Sequence, residues 1–407
     1  IDPRSYMTYQ PFLPEAAGGA VSPRHVVVPL RRVLRGAEII TARVTSINHA
    51  SRSAVVQPLE GSPFALEYDQ LVMAVGAVSR TLPIPGLAEC ATGFKTVEEA
   101  IQLRNRVLEC LDIAESTHDA AIRKRNLNFV FVGGGYAGVE ALAELEDMAR
   151  YASRYYPSIT PSDLKFTLVE ASGRILPEVG PEMGLWTLEQ LRKRGIDVKL
   201  QTRLESCIGG HVELSDGSTV ETETLVWTAG VKASPVLSNT DLPLNSRGRL
   251  KANAAMQVEG VADAWGAGDG TAVPDLTSEE GMECAPNAQH AVRQSKVLAD
   301  NVIANMRGFP VRDYKHKYVG SVAGLGLFKG VANVYGIRVR GFPAWFMHRT
   351  YHVSRVPTLN RKFRVIADWT LGLLFKREIV SLWSMHEPFN EFKDAAKPAT
   401  VNRPPAA

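Results

Sequence analysis

Asn126–Leu145 reads NLNFVFVGGGYAGVEALAEL, and this stretch decides the fold. Phe129–Val132 is a short apolar run of the kind buried on both faces in a parallel sheet. Gly133, Gly135 and Gly138 follow in GxGxxG spacing, and Ala141–Leu145 continues as good helix formers. In that order the glycines permit a tight turn, close approach of backbone to a pyrophosphate, and close packing of helix on strand. The helix start adds free N–H groups and positive dipole. The spacing alone is a weak signal, but between a strand and a helix it predicts a Rossmann-like dinucleotide site.

A second strand, KFTLVEAS (165–172), ends in Glu170. An acid there binds a ribose 2′-hydroxyl and repels a 2′-phosphate, which favours NADH over NADPH. The interval from the glycines exceeds the usual ~20 residues. RYASRYYPSITPSD (150–163) accounts for the excess as a helix extension and loop, while Arg174 works against the NADH preference. Glu140, two residues past the last glycine, reads either as an acid near the nicotinamide or as a first-turn Glu favoured by the helix dipole.

Three further stretches share one design. YDQLVMAVGAVSRTLPIPG (68–86), ETLVWTAGVKASP (223–235) and GVADAWGAGDGTAVP (260–274) each run from an apolar strand into a turn of small residues. Gly76, Gly230 and Gly268 mark those turns, where a ligand can approach backbone, and Asp269 offers a carboxylate to its hydroxyls. CAPNAQHAVRQSKVLADNVIANM (284–306) reads as a helix with Pro286 in its first turn. Ala288, Ala291, Val292, Ser295 and Ala299 form a small-residue face for packing, and the helix start at Ala288 and Gln289 can stabilise an electron-rich ring.

The 407 residues suffice for two or three domains, and 45% hydrophobic with 22% charged residues is ordinary for a soluble globular chain. Cys90, Cys110, Cys207 and Cys284 have neither CxxC nor zinc-ligand spacing, so reduced thiols and no metal site are expected. No apolar run reaches the ~18 residues of a spanning helix. Charge is uneven. Residues 306–397 hold 16 Lys and Arg against 6 Asp and Glu, a local +10 in a chain of net +3, so the remainder carries −7. From Arg338 to Arg377 nine bases alternate with aromatic and aliphatic residues around a single acid, Asp368. The pattern predicts amphipathic helices near Ala344–Arg355 and Lys362–Lys376, suited to lying on an anionic membrane. A dimer interface is the alternative. Nucleic acid is not expected, because no binding motif accompanies the patch.

Taken together, YMTYQPFLPEAAGG (6–19), YDQLVMAVG, FVGGGYAGVE, TLVEASGRILP, LVWTAGV, WGAGDG and AQHAVRQS (288–295) resemble the type II NADH dehydrogenases, single-subunit NADH:quinone oxidoreductases, in order and spacing to about residue 335. The resemblance implies an α/β fold of two Rossmann-like dinucleotide-binding domains and a C-terminal amphipathic helical membrane-binding segment. It implies FAD held by Asp2, Gly76, Gly268, Asp269, Ala288 and Gln289. It implies NADH held by Gly133, Gly135, Gly138, Glu170 and Gly230, with Glu140 beside the nicotinamide. Glu140 and Gln289 become the expected catalytic residues, and Gln289 with Gln294 the expected quinone contacts; Ser295 departs from the family's glycine.

The expected activity is NADH:quinone oxidoreduction through FAD without proton pumping, at the cytoplasmic face of the cell membrane, with a homodimer left open. The first FAD strand–GxGxxG–helix unit, about 30 residues, is expected to be missing ahead of Ile1. The expected domains are 1–103 and 257–335 for FAD, 104–256 for NAD, 336–394 for the membrane segment and 395–407 as a disordered tail. Two rivals remain: a soluble FAD-dependent reductase of a small iron–sulfur carrier, and a non-catalytic NADH-binding membrane protein.

Overall fold

The computed structural model describes residues 1–279, 281–317, 319–382 and 393; the expected tail at 395–407 lies outside them. A short helix, α1 (Leu13–Ala17), is buried along its whole length. After a three-stranded antiparallel sheet over 42–67 come β1 (Leu71–Met73) and β2 (Ala91–Gly93). The helix α2 (Val97–Ser116) starts on a capping box in which Thr96 Oγ1 accepts from Glu99 N and Glu99 Oε2 accepts from Thr96 N.

The nucleotide unit follows as β3 (Asn128–Val132), α3 (Tyr136–Ala152), β4 (Lys165–Val169), α4 (Pro181–Lys193), β5 (Asp197–Lys199) and β6 (Thr224–Trp227). These strands make a parallel sheet in the order β5-β4-β3-β6-β2. Every residue of β3 is buried, and Phe129 stacks on Phe166 of β4 at 4.7 Å between ring centroids. Helix α3 carries buried residues around most of its circumference, because α1 and α2 cover the side away from the sheet.

β7 (Ala264–Gly266) pairs in parallel with β1, and α5 (Ala288–Met306) follows. β8 (Gly320–Gly324), β9 (Gly330–Val334) and β10 (Ile337–Arg340) form an antiparallel sheet, capped by α6 (Phe342–Arg355) and flanked by α7 (Leu359–Phe375). Asp2 meets Thr41 in an isolated parallel bridge.

The expected boundaries move in three places. β2 already belongs to the nucleotide sheet at residue 91. The chain leaves that sheet after Trp227, and Leu237, Leu242 and Leu250 pack with Ile47, Ala54 and Met73 of the opening domain. The boundary expected after residue 335 falls inside a β-hairpin: Tyr335 and Gly336 both have positive φ and join β9 to β10 as a two-residue turn. Between the two domains the chain crosses twice, and the crossings pair as an antiparallel ribbon, Ala77–Ser79 with Val231–Ala233.

Helix α5 buries His290, Gln294, Leu298 and Asn301 rather than its small residues. Polar side chains can line that face because each finds a partner. Asn301 donates to Ala255 O and Arg312 O, and His290 Nδ1 lies 2.9 Å from Tyr314 Oη. Ser295 is exposed, so its side chain meets no crowding. Asn287 caps this helix, and Pro286 precedes it. The amphipathic helices stand close to where they were expected. Helix α7 is held by its only acid: Asp368 Oδ2 accepts from Ser22 N at 2.9 Å and lies 2.5 Å from His25 Nδ1.

Candidate functional site

The glycine loop closes between β3 and α3 as the sequence predicts. Gly133 has φ 113°, and a Cβ there would meet Thr228 Oγ1 at 2.7 Å. Gly138 packs against the Gly133 carbonyl, where a Cβ would overlap the oxygen. Gly135 has open space around it at the start of the 17-residue helix α3. That opening, with unpaired helix N–H groups behind it, suits a pyrophosphate. Glu170, at the end of β4, accepts from Gly134 N and Ser172 N, both at 2.6 Å, so it shapes the loop as well as facing it. Thr228, which the sequence did not single out, donates to Val132 O at 2.9 Å and braces the loop from β6. Gly230 follows in an open left-handed turn.

On the other side, Gly76 and Gly268 have φ 63° and 76° at the ends of β1 and β7. A Cβ on Gly270 would meet Gly76 O at 2.8 Å, so the two turns touch. Asp269 is half-buried between them, in reach of the Arg249 charge but without a hydrogen bond or ion pair among the described residues, a carboxylate available to the hydroxyls of a ribityl or ribose chain. Gln289 donates to Gly320 O at 2.6 Å, leaving its buried Oε1 without a partner among the described residues. Ala288, the first residue of α5, is exposed beside it. Gln294, the other expected quinone contact, is turned inward. It is 1% exposed, and its Oε1 accepts from Gly268 N at 2.8 Å, which fixes the FAD-side turn. Asp2 accepts from Arg4 N through Oδ1 at the chain start.

Glu140 lies in a buried polar cluster that local spacing could not reveal. Its Oε1 accepts from Gly324 N at 2.7 Å and stands 3.2 Å from His348 Nε2. Burial alone would lower the His348 pKa, but the hydrogen bond and charge of Glu140 outweigh it and leave it raised. Beside it, Glu15 accepts from Trp369 Nε1 at 2.6 Å and lies 3.4 Å from Arg349 Nε. Arg349 is itself sandwiched between Trp345 and Trp369. One turn along α3, burial pushes Glu144 up to about 7, against the opposing charge of Arg377 at 3.2 Å.

These pairings correct the expected basic surface. Arg338 and Arg340 both bind Glu182, and Arg349 and Arg377 point inward. Among the described residues, Arg355, Arg361, Lys362, Arg364 and Lys376 make no such pair with an acid. The apolar side of α7 is open: Phe363 is 69% exposed and Phe375 77%, with Ile366, Leu371 and Leu374 between them.

The model of the pyridine nucleotide-disulphide oxidoreductase family matches residues 1–294. A probable NADH dehydrogenase of Dictyostelium discoideum is 29% identical over 392 residues, covering 94% of this chain and 85% of that one. The type II NADH:quinone oxidoreductase of Mycobacterium tuberculosis is 28% identical over 384 residues, covering 91% and 81%. Among solved structures, NDH2 from Plasmodium falciparum in complex with NADH superposes with a TM-score of 0.85 at 18% identity, covering 93% of this chain and 94% of that chain. The family match runs through the glycine loop, both FAD-side turns and the first turns of α5, and the chain belongs to the pyridine nucleotide-disulphide oxidoreductase family.

Proposed function

We propose that the chain is an FAD-dependent NADH:quinone oxidoreductase of the type II class, working from a membrane surface. The observation that carries this is the pairing of two nucleotide turns across one molecule: the open start of α3 at Gly135, and the turns at Gly76 and Gly268–Gly270, which meet where Gly270 approaches Gly76 O beside Asp269. FAD, when bound, supplies the hydride and electron chemistry that no side chain offers. The residues of the chain bind and orient. The α3 start and the glycines hold the NADH pyrophosphate, and Glu170 opposes a 2′-phosphate. Asp269 takes FAD hydroxyls, and the unpaired buried oxygen of Gln289 is left for the ring or the quinone. Glu140 stays buried and hydrogen-bonded nearby, out of bulk water.

An anaerobic visible spectrum of the purified chain tests the reading. Flavin bands that bleach on adding NADH and return on adding a short-chain quinone are expected. A yellow protein that bleaches but recovers only with an iron–sulfur carrier would select the soluble reductase instead. A colourless protein would refute the activity for this chain.

Membrane attachment rests on α7. No helix among the described residues is long and apolar enough to cross a bilayer. The exposed Phe and Leu of α7 flanked by five bases suit an interfacial position, where each inserted side chain contributes about 1.5–3 kcal/mol. The double variant Phe363→Glu/Leu374→Glu is expected to lower binding to vesicles containing anionic lipid at least ~30-fold, because two insertions are lost. Unchanged vesicle co-sedimentation would remove this face from the membrane contact.

A further inference from the structure

We propose that Arg249 is a positioning residue for FAD: it clamps the turn that presents Asp269 to the stretch that leads into α5, and so fixes how the two parts of the FAD site stand to each other. This rests on the oxidoreductase reading above. Arg249 belongs to none of the motifs legible in the sequence, yet it is only 7% exposed. A guanidinium out of water is costly unless its partners are in place, so what surrounds it shows what it holds.

Its planar fork reaches two separate segments. Nη2 donates to Thr271 O and, at 3.3 Å, to Cys284 O, while Nη1 donates to Glu283 Oε2 at 3.0 Å. Asn245 steadies both ends of that ion pair. Its Nδ2 donates to Glu283 Oε1 at 2.8 Å, and its Oδ1 accepts from Arg249 N at 3.0 Å. The strand that follows, Leu250–Lys251, pairs in parallel with Thr271–Ala272.

Both clamped segments border the FAD site. Gly268–Thr271 is a tight turn closed by Thr271 N on Gly268 O at 3.0 Å, with Asp269 and Gly270 at its centre. Its backbone is anchored at three further points. Gly268 N donates to Gln294 Oε1, Gly270 O accepts from Leu250 N at 2.9 Å, and Thr271 O accepts from Arg249. The Asp269 carboxylate takes no part in this ladder and is left for the ligand. Cys284, at the other end of the clamp, stands four residues ahead of Ala288, where α5 begins. The two acids whose charges reach the guanidinium are Glu283, which it binds, and Asp269, which it does not. Arg249 thus sets the spacing between the carboxylate for the FAD hydroxyls and the helix start beside the ring, and places a positive charge behind that carboxylate.

Release of FAD from the loaded full chain, followed by the rise of free-flavin fluorescence on dilution, tests the role. Arg249→Met should speed release about 100-fold while leaving the dissociation constant for NADH within about threefold. Asp269→Asn should speed release by a similar factor. Because Arg249 acts through Asp269, adding Arg249→Met to Asp269→Asn should speed release less than about tenfold more. Effects that multiply in full, to about 10,000-fold, overturn the positioning role and leave Arg249 a support of the fold alone. Release from Arg249→Met within threefold of the parent overturns it outright. If Arg249→Met does not fold, Glu283→Gln at the more exposed end of the clamp decides: release should be about tenfold faster, and a change under twofold overturns the proposal. A parent chain that holds no FAD overturns the oxidoreductase reading and this inference with it, whereas FAD held equally well without Arg249 overturns this inference alone.

Discussion

Gly138→Ala should raise the dissociation constant for NADH at least 100-fold, equivalent to about 2.7 kcal/mol. The added Cβ would overlap the Gly133 carbonyl oxygen and lie 2.6 Å from Thr228 Oγ1. Neither neighbour can yield cheaply. Gly133 is backbone in a left-handed turn, and Thr228 is tied to Val132 O. The start of α3 must swing off β3, and the N–H groups that receive the pyrophosphate go with it. FAD content should be retained, since Gly76, Gly268 and Asp269 lie on the other domain. Titration of NADH by fluorescence quenching checks the result; a dissociation constant within threefold of the parent would mean that the nucleotide does not sit on α3.

Arg194→Ala should cost about 3 kcal/mol or more of stability. Arg194 lies beyond the C-terminal end of α4, donating to Leu325 O at 2.6 Å and Ala143 O at 2.9 Å, and pairing with Glu146 and with Asp147 at 2.8 Å. Glu146 is 1% exposed, so removing the guanidinium leaves a buried carboxylate supported by Arg150 alone. The same side chain joins α3 to the turn after β8, which ends on Asp147 through Leu327 N. Arg338→Ala is the control. Its pair with Glu182 is about half exposed and should contribute well under 1 kcal/mol. Thermal melts of the two variants check the contrast, and equal melting temperatures would deny Arg194 its role.

The local parts of this architecture were legible because each is written in contiguous residues. Strand, glycines and helix around Gly133–Gly138 fall within twenty residues, and the amphipathic helices declare themselves by period. What the sequence concealed is long-range pairing. Glu140 bonds across 184 residues to Gly324, and Glu15 meets Trp369 across 354. No spacing rule distinguishes such a buried acid from a first-turn Glu. The same limit hid the bond from Gly268 N to Gln294, and the four arginines whose acids lie on α1, α3 and α4. Domain edges slipped for a related reason. A hairpin turn and a linker carry the same glycine signal until their strands are seen to pair.

The ribbon formed by Ala77–Ser79 and Val231–Ala233 is a hinge with two leaves sewn together. Arg80 N bonds to Gly230 O at 3.1 Å, and Trp227 Nε1 donates to Arg80 O at 2.7 Å, so the stitching continues to the edge of the nucleotide sheet. A single covalent linker would let one domain twist freely; two bonded strands resist torsion and leave only bending. Relative motion of the two domains is then confined to opening and closing about the ribbon, without one turning past the other.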